Sequence, residues 1–201
     1  KYVFFYGAGC SSKRKNNIVK KSLTHFFKNA LIQIKNDLDA ACLAMYNNKP
    51  NITCILGTGS NSCYFDGKKI IKHCPSLGFI IGDEASGNYF GRKILKLYYN
   101  KILPEKLIKE FEKEYDLKWP IISKNIYNQN RANVYLAKYF PFILKNKKHP
   151  MISSLISKSL DKFFNLHVLC YENHKDLDVN FVGSVAYFLS DEIYKIAKKN
   201  K

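Results

Sequence analysis

The chain has 201 residues, 46% of them hydrophobic and 14% aromatic, and its formal net charge is +17 at pH 7. This length and apolar content predict one globular domain or slightly more, which excludes a disordered chain. No apolar run approaches the roughly 20 residues that a membrane-spanning helix needs. Since no signal peptide opens the sequence either, a cytoplasmic protein with no membrane partner is expected.

The positive charge comes almost entirely from lysine. Of the 33 basic residues, 30 are Lys and three are Arg. Clustered basic residues bind phosphates, but base readout in the major groove relies on Arg. Lys, together with the 19 Asn and 20 Ile, has A/T-rich codons, so genome composition accounts for much of the charge. Nucleic acid is therefore not the expected partner, and a non-catalytic polyanion-binding protein is kept as an alternative.

Cysteine and histidine spacing predicts no metal site. The six Cys form no C-x-x-C pair and the five His form no H-x-x-x-H. Several of the cysteines fall inside apolar runs, where they are expected to be small buried hydrophobic residues.

Two strand and helix pairs are predicted before the Asn-rich segment NNKPN at residues 47–51. Strands are expected over 2–6 and 30–34, and helices over 16–28 and 38–46. The first strand runs into Gly7-Ala8-Gly9. The Pro within an Asn cluster is typical of a linker. It divides the chain into a first domain of residues 1–48 and a second of residues 49–201.

The second domain is predicted to alternate strands, glycine turns and helices, which is typical of an α/β fold with ligand loops at the carboxyl ends of strands. Asp66-Gly67 indicates a hairpin, an apolar Gly-bounded segment before Gly82 is interpreted as a strand, and Asp83 is expected to cap the next helix. A helix over 132–143 should kink or end at Pro141. The other expected strands are 52–56, 63–65, 68–72 and 178–182, and the other expected helices begin at Asp83 and Pro104 or cover 151–169 and 185–198.

The segment LGTGSNS, residues 56–62, lies between two predicted strands. It is therefore neither a P-loop nor a dinucleotide fingerprint, since both of these open a helix. Glycines on either side of Thr58 let the backbone approach an anion, and hydroxyl and N–H groups there can donate to phosphate oxygens. The alternative is a tight hairpin without a ligand.

Three further segments carry polar groups at predicted strand or helix ends. Asp37 could accept a proton from a substrate hydroxyl, or it could simply be a helix N-cap. Asp83 and Glu84 could hold sugar hydroxyls, or they could complement the helix dipole. In FVGSVA, residues 181–186, the backbone could lie against an adenine or a phosphate.

Taken in order, YGAGC (6–10), NDLDAA (36–41), LGTGSNS, SLGFIIGDEASG (76–87) and FVGSVA resemble the N-acetylglucosamine kinase branch of the actin-like sugar kinase superfamily, also described as the BadF/BadG/BcrA/BcrD-type ATPase domain. The resemblance covers nearly the whole chain. It implies an α/β, actin-like ATPase (ribonuclease H-like) fold, of which the chain holds the second lobe and the last part of the first. It also implies ATP and Mg²⁺ as cofactors and phosphorylation of the 6-hydroxyl of an N-acetylhexosamine, N-acetylglucosamine foremost.

The same resemblance implies roles for individual residues. The catalytic base is Asp37. The ATP and phosphate contacts are Gly57, Thr58, Gly59, Ser60, Gly183, Ser184 and Val185. The sugar contacts are Asn36, Asn61, Leu77, Gly78 and Asp83. The resemblance also implies a homodimer, since many relatives dimerise through the second lobe.

One departure from the family concerns its first phosphate loop, D-G-G-x-x-T, which organises Mg²⁺ and phosphate. The sequence does not contain it. The chain is therefore expected to be an incomplete kinase with little or no turnover by itself, since metal and phosphate positioning supply most phosphoryl-transfer catalysis. An ATPase activator of a reductase or dehydratase, which holds an iron–sulfur cluster through cysteines, is the enzymatic alternative.

Overall fold

The computed structural model describes residues 1–200, apart from the side chains of residues 72 and 73. The strands are β1 Tyr2–Gly7, β2 Leu31–Asn36, β3 Asn51–Leu56, β4 Ser60–Phe65, β5 Ile70–His73 and β6 Asp178–Val182. The helices are α1 Lys13–Phe26, α2 Asp37–Met45, α3 Gly78–Ile81, α4 Gly87–Tyr99, α5 Glu105–Glu114, α6 Trp119–Tyr127, α7 Ala132–Ala137, α8 Phe140–Lys145, α9 Pro150–His167, α10 Ser184–Phe188 and α11 Ser190–Lys199. None of these helices is long and apolar enough to cross a membrane.

The strands form two sheets, which confirms the α/β class. β1 and β2 pair in parallel, with Gly7 opposite Asn36. The second sheet has the order β5-β4-β3-β6, in which β3 pairs antiparallel with β4 and parallel with β6. Because β3 and β6 are parallel, their carboxyl ends reach the same edge of this sheet.

Helix α2 connects the two sheets, and its packing determines near which end of the second sheet its first residue, Asp37, lies. Its residues Leu38 and Cys42 pack on Cys63 and Phe65 of the second sheet. The Tyr46 ring, just after the helix, lies edge-on to Phe65, with the ring centroids 5.7 Å apart. Phe65 is opposite Asn51 at the start of β3. The first residue of α2, Asp37, therefore lies toward the opposite end of the sheet, where β3 ends.

The main core lies between the second sheet and the helices that follow it. Its fully buried aromatic side chains include Phe90, Phe111, Tyr139, Phe142 and Phe163. Helices α4 and α7 approach closely at Gly91, where an added Cβ would lie 1.9 Å from the Leu136 carbonyl oxygen. A glycine is needed there because no side chain fits between the two backbones.

Two predictions around residue 80 were wrong. The apolar segment before Gly82 is the short helix α3, with Ile80 and Ile81 exposed, rather than a strand. A run of four apolar residues does not distinguish a strand from a helical turn. Asp83 does not cap α4; Ser86 does, since its hydroxyl oxygen accepts from the Tyr89 N–H at 3.2 Å.

The later helices differ from prediction mainly in where they break. The helix predicted over 132–143 is divided into α7 and α8, with Pro141 in the first turn of α8, where proline is tolerated. The closing helix is divided into α10 and α11. Helix α6 was not predicted. Strand β6 has the predicted bounds.

Candidate active site

The loops that follow β3 and β6 meet at one edge of the second sheet. Gly183 follows β6 with a backbone φ of +119°, and a Cβ there would lie 2.3 Å from the Leu56 carbonyl oxygen. Both the dihedral and the contact require glycine. The predicted adenosine motif therefore lies directly against the start of the predicted phosphate loop. The Ser184 side chain is exposed, whereas the Val185 side chain is buried in the core.

The predicted phosphate loop is held by the first turn of α4. The Gly87 N–H donates to the Gly57 carbonyl at 2.8 Å, and the Asn88 N–H donates to the Thr58 carbonyl at 3.1 Å. The Thr58 side chain remains exposed. The Ser60 hydroxyl is buried and has no hydrogen-bond partner among the described residues. An added Cβ at Gly57 would meet nothing within 4 Å, which leaves space for a ligand beside the loop.

Asp83 lies against this loop. Its Oδ1 accepts from the Ser60 N–H at 3.3 Å, and its Oδ2 accepts from the Asn88 side-chain amide at 2.7 Å. A Cβ on Gly59 would come within 2.9 Å of the same carboxylate. The structure thus brings a predicted sugar-binding carboxylate into contact with the predicted phosphate loop.

The backbone around Asp83 is unusual for non-glycine residues. Asp83 and Ala85 have φ of +56° and +55°, and Glu84 lies between them. Such left-handed residues cost energy and persist only where the surrounding contacts impose them. Here Glu84 supplies those contacts: its carboxylate lies 3.1 Å from Lys162 Nζ and 3.5 Å from His167 Nε2, both on α9.

The surroundings of this ion pair lower the pKa values of both Glu84 and His167. Burial raises the pKa of Glu84, but hydrogen bonds from its own backbone N–H, Lys162 and His167 outweigh burial and leave that pKa below its ordinary value. Burial lowers the pKa of His167, and Glu84 only partly opposes it. His167 Nδ1 is buried without a partner among the described side chains, so a proton there would have no acceptor in them. His167 is therefore neutral near pH 7.

Asp37 and Asn36 begin α2. Asn36 is the cap: its Oδ1 accepts from the Leu38 N–H at 2.9 Å, while Asp39 accepts from the Asn36 N–H at 3.1 Å. The reading of Asp37 as the N-cap was thus wrong by one residue. Asp37 is the half-buried first helical residue, and its Oδ1 also accepts from the Leu38 N–H, at 3.0 Å.

The remaining predicted sugar contacts lie on β4 and before α3. Asn61 is half-buried on β4, opposite Ile55. Leu77 is exposed, and Gly78 begins α3 with a φ of +71°. Arg92 ties this segment to α4, because its guanidinium donates to the Ile80 carbonyl at 2.7 Å and to the Gly82 carbonyl at 2.9 Å.

A solved structure from Porphyromonas gingivalis, described as a candidate N-acetylglucosamine kinase, is 35% identical to this chain. The match has a TM-score of 0.91 and covers 99% of this chain and 70% of that one. The chain belongs to this family of N-acetylglucosamine kinase-like sugar kinases. A protein from Chromobacterium violaceum with the same description is 17% identical, with a TM-score of 0.68 over 87% of this chain and 64% of its own, and supports the actin-like fold. No protein-family model matches the sequence, and no curated protein matches it.

The sugar kinase contains site residues that the sequence did not indicate. Asn88, Arg92 and Lys162 each hold the Asp83 region, yet each lies within a helical segment where a polar residue normally faces solvent. The amphipathic pattern of their helices was the only sequence signal for these three residues. For Asn88 that pattern did not distinguish burial from exposure, yet the residue is fully buried in the first turn of α4.

The described residues fit the two implied cofactors differently. The open side of Gly57 and the unpartnered Ser60 hydroxyl suit a phosphate group. Among the side chains that the structure describes, no group of three or more His, Cys, Asp or Glu is arranged to hold a metal ion.

Proposed function

We propose that this sugar kinase uses ATP to phosphorylate the 6-hydroxyl of an N-acetylhexosamine, with N-acetylglucosamine as the foremost substrate. The observation that carries the proposal is the contact between Asp83 and the Gly57–Ser60 loop, at 3.3 Å from the Ser60 N–H. A carboxylate suited to sugar hydroxyls and a loop suited to phosphates thus share one site. The 35% identical relative supports the same substrate class.

In this proposal the two glycine loops bind the nucleotide. The N–H groups of Thr58 and Gly59 and the hydroxyls of Thr58 and Ser60 donate to phosphate oxygens, and the Gly183–Val185 backbone lies beside the adenosine. ATP supplies the phosphoryl group. Asp83 accepts hydrogen bonds from sugar hydroxyls, and Asn36, Asn61, Leu77 and Gly78 line the remainder of the sugar subsite. Such charge-assisted hydrogen bonds orient the sugar for attack.

Asp37 is the proposed general base. It accepts the proton of the 6-hydroxyl while that oxygen bonds to the γ-phosphorus and the bond from phosphorus to the ADP oxygen breaks. Its position on the first turn of α2, toward the end of the sheet where β3 ends, is compatible with this role.

The test is ADP release by the natural full-length protein with ATP and Mg²⁺ and one of N-acetylglucosamine, N-acetylmannosamine, N-acetylmuramic acid or glucosamine. We expect sugar-stimulated release, and Asp37→Asn should lower kcat by about 100- to 10,000-fold with little change in sugar affinity. Asp66→Asn, in the exposed β4–β5 turn, is the matched control and should retain activity. No sugar-stimulated release with any of these sugars would refute the proposal.

The alternatives gain no specific support. An iron–sulfur activator needs accessible cysteines, whereas five of the six cysteines are buried and Cys170 is only partly exposed. Nothing in the described residues favours a polyanion site over a generally basic surface.

A further inference from the structure

Asn88 lies between the two halves of the proposed site. Its side chain is fully buried in the first turn of α4. The amide nitrogen donates to the Thr58 carbonyl at 2.6 Å and to Asp83 Oδ2 at 2.7 Å. The Asn88 backbone N–H donates to the same Thr58 carbonyl at 3.1 Å. One amide group thus touches both the phosphate loop and the sugar carboxylate.

The orientation of this amide is determined by its surroundings. Both groups facing the nitrogen are acceptors, so exchanging the oxygen and nitrogen would place three oxygens together. The amide oxygen is buried, and it has no hydrogen-bond partner in the part of the chain that the structure describes. A buried oxygen without a hydrogen bond is destabilising. The two hydrogen bonds that the amide nitrogen donates are therefore the interactions that favour an asparagine at this position.

Further contacts hold the Asp83 end of this link. Asp83 also accepts from the Ser60 N–H, and its carboxylate fills the space beside Gly59. Glu84, next in the chain, is held by Lys162 and His167. A shift of the loop around Thr58 must therefore move the Asp83 carboxylate or break the Asn88 bonds.

We propose that Asn88 is a positioning residue that couples the phosphate loop to Asp83, so that nucleotide and sugar each increase the affinity for the other. This inference rests on the proposed kinase function. Coupling of this kind is reciprocal: the factor by which nucleotide tightens sugar binding equals the factor by which sugar tightens nucleotide binding.

The experiment measures that factor by calorimetry in the natural full-length protein. The Kd of N-acetylglucosamine is determined with and without a saturating non-hydrolysable ATP analogue. We expect at least about a five-fold tightening in the wild-type protein. Asn88→Ala should reduce it to less than two-fold. Asn125→Ala removes an exposed amide that donates to the Ile121 carbonyl within its own helix, and should leave the coupling unchanged.

A steady-state readout separates coupling from general damage. In the wild-type protein, the KM for sugar should fall as ATP rises; in Asn88→Ala it should be independent of ATP. A purely structural loss would lower kcat and the melting temperature without changing this dependence. Full coupling retained in a folded Asn88→Ala protein would overturn the proposal.

Hydrogen exchange on the wild-type protein tests the same idea without a variant that could unfold. The analogue alone should slow exchange at residues 83–88 as well as at residues 57–60. Protection confined to residues 57–60 would overturn the coupling while leaving the kinase proposal intact. Failure of the wild-type protein to bind either nucleotide or sugar would instead overturn the proposed function.

Discussion

Residues 1–36 and residues 51–200 have similar apolar patterns but very different interiors. In the first region, α1 buries no residue, and Tyr2, Phe4 and Phe26 are 71%, 59% and 77% exposed. In the second, Phe90, Phe111 and Phe142 are fully buried.

The difference lies in the number of layers. A two-stranded parallel sheet satisfies its backbone hydrogen bonds only in part, and it needs a layer on each face to bury its side chains. Here α2 packs on the second sheet as well as on β1 and β2, while Tyr2, Phe4 and Leu31 remain on an open face. An apolar strand pattern therefore predicts a strand, but burial depends on what covers it.

The largest expected effect is in the aromatic core. Phe111→Ala removes a ring whose centroid is 4.6 Å from that of Phe142, and should destabilise the protein by about 3–5 kcal/mol. Phe4→Ala, at an exposed position, should change the free energy of unfolding by less than about 0.5 kcal/mol. Urea unfolding followed by circular dichroism measures both. Comparable losses would show that β1 is as well packed as α5.

The next effect compares two tightly placed glycines. Gly91→Ala places a Cβ 1.9 Å from the Leu136 carbonyl oxygen, so α4 and α7 must separate, at a cost of about 1–3 kcal/mol or more. Gly7→Ala places one 2.6 Å from the half-exposed Phe5 ring, which can rotate away. We expect a clear drop in the unfolding midpoint for the first variant and a smaller one for the second. The reverse order would contradict the difference in packing.

A smaller effect is expected at the Glu84 cluster. Glu84→Gln removes the charge that pairs with Lys162 and should cost about 1–2 kcal/mol at pH 7. The matched control is Glu105→Gln, which breaks an exposed i,i+4 pair with Lys109 and should cost less than about 0.5 kcal/mol.

The same cluster predicts how stability depends on pH. The folded-state pKa of Glu84 lies below its ordinary 4.5, and that of His167 lies below its ordinary 6.5. Both groups therefore contribute fully above those ordinary values, and their contributions are lost as pH falls through the folded-state pKa values. Unfolding measured from pH 7 to pH 4 should show a steeper loss for wild type than for His167→Gln. Parallel curves would contradict a neutral, buried His167.

The smallest expected change in the free energy of unfolding is at Phe4, where we instead expect a change in solubility. Phe4→Thr should leave the unfolding midpoint unchanged and raise the soluble concentration of the 201-residue chain, because it interrupts the open apolar face. Val134→Thr replaces an exposed valine in the helical region and should alter neither quantity. Equal solubility of wild type and Phe4→Thr would mean that this face does not limit solubility.

The sequence predicted much of the fold because several elements carry local signals. β6 has its predicted bounds, and β1 extends one residue beyond them, since β-branched and aromatic runs ending in glycine are distinctive. The strand predicted before Gly82 failed because four apolar residues suit either type of element. Asp83 was wrongly predicted as a cap because its carboxylate instead accepts from the Ser60 N–H, 23 residues earlier, and from the Asn88 side chain.

By itself, the sequence determined the α/β class, the glycines that permit close backbone approach, and the order of the polar motifs. It did so because backbone preferences and side-chain periodicity are local properties. Only the tertiary structure decided which polar groups meet: Asp83 with Ser60, Asn88 with Thr58, and Glu84 with His167, 83 residues later in the chain. Periodicity tells which face a residue occupies, whereas its partner depends on how the elements pack.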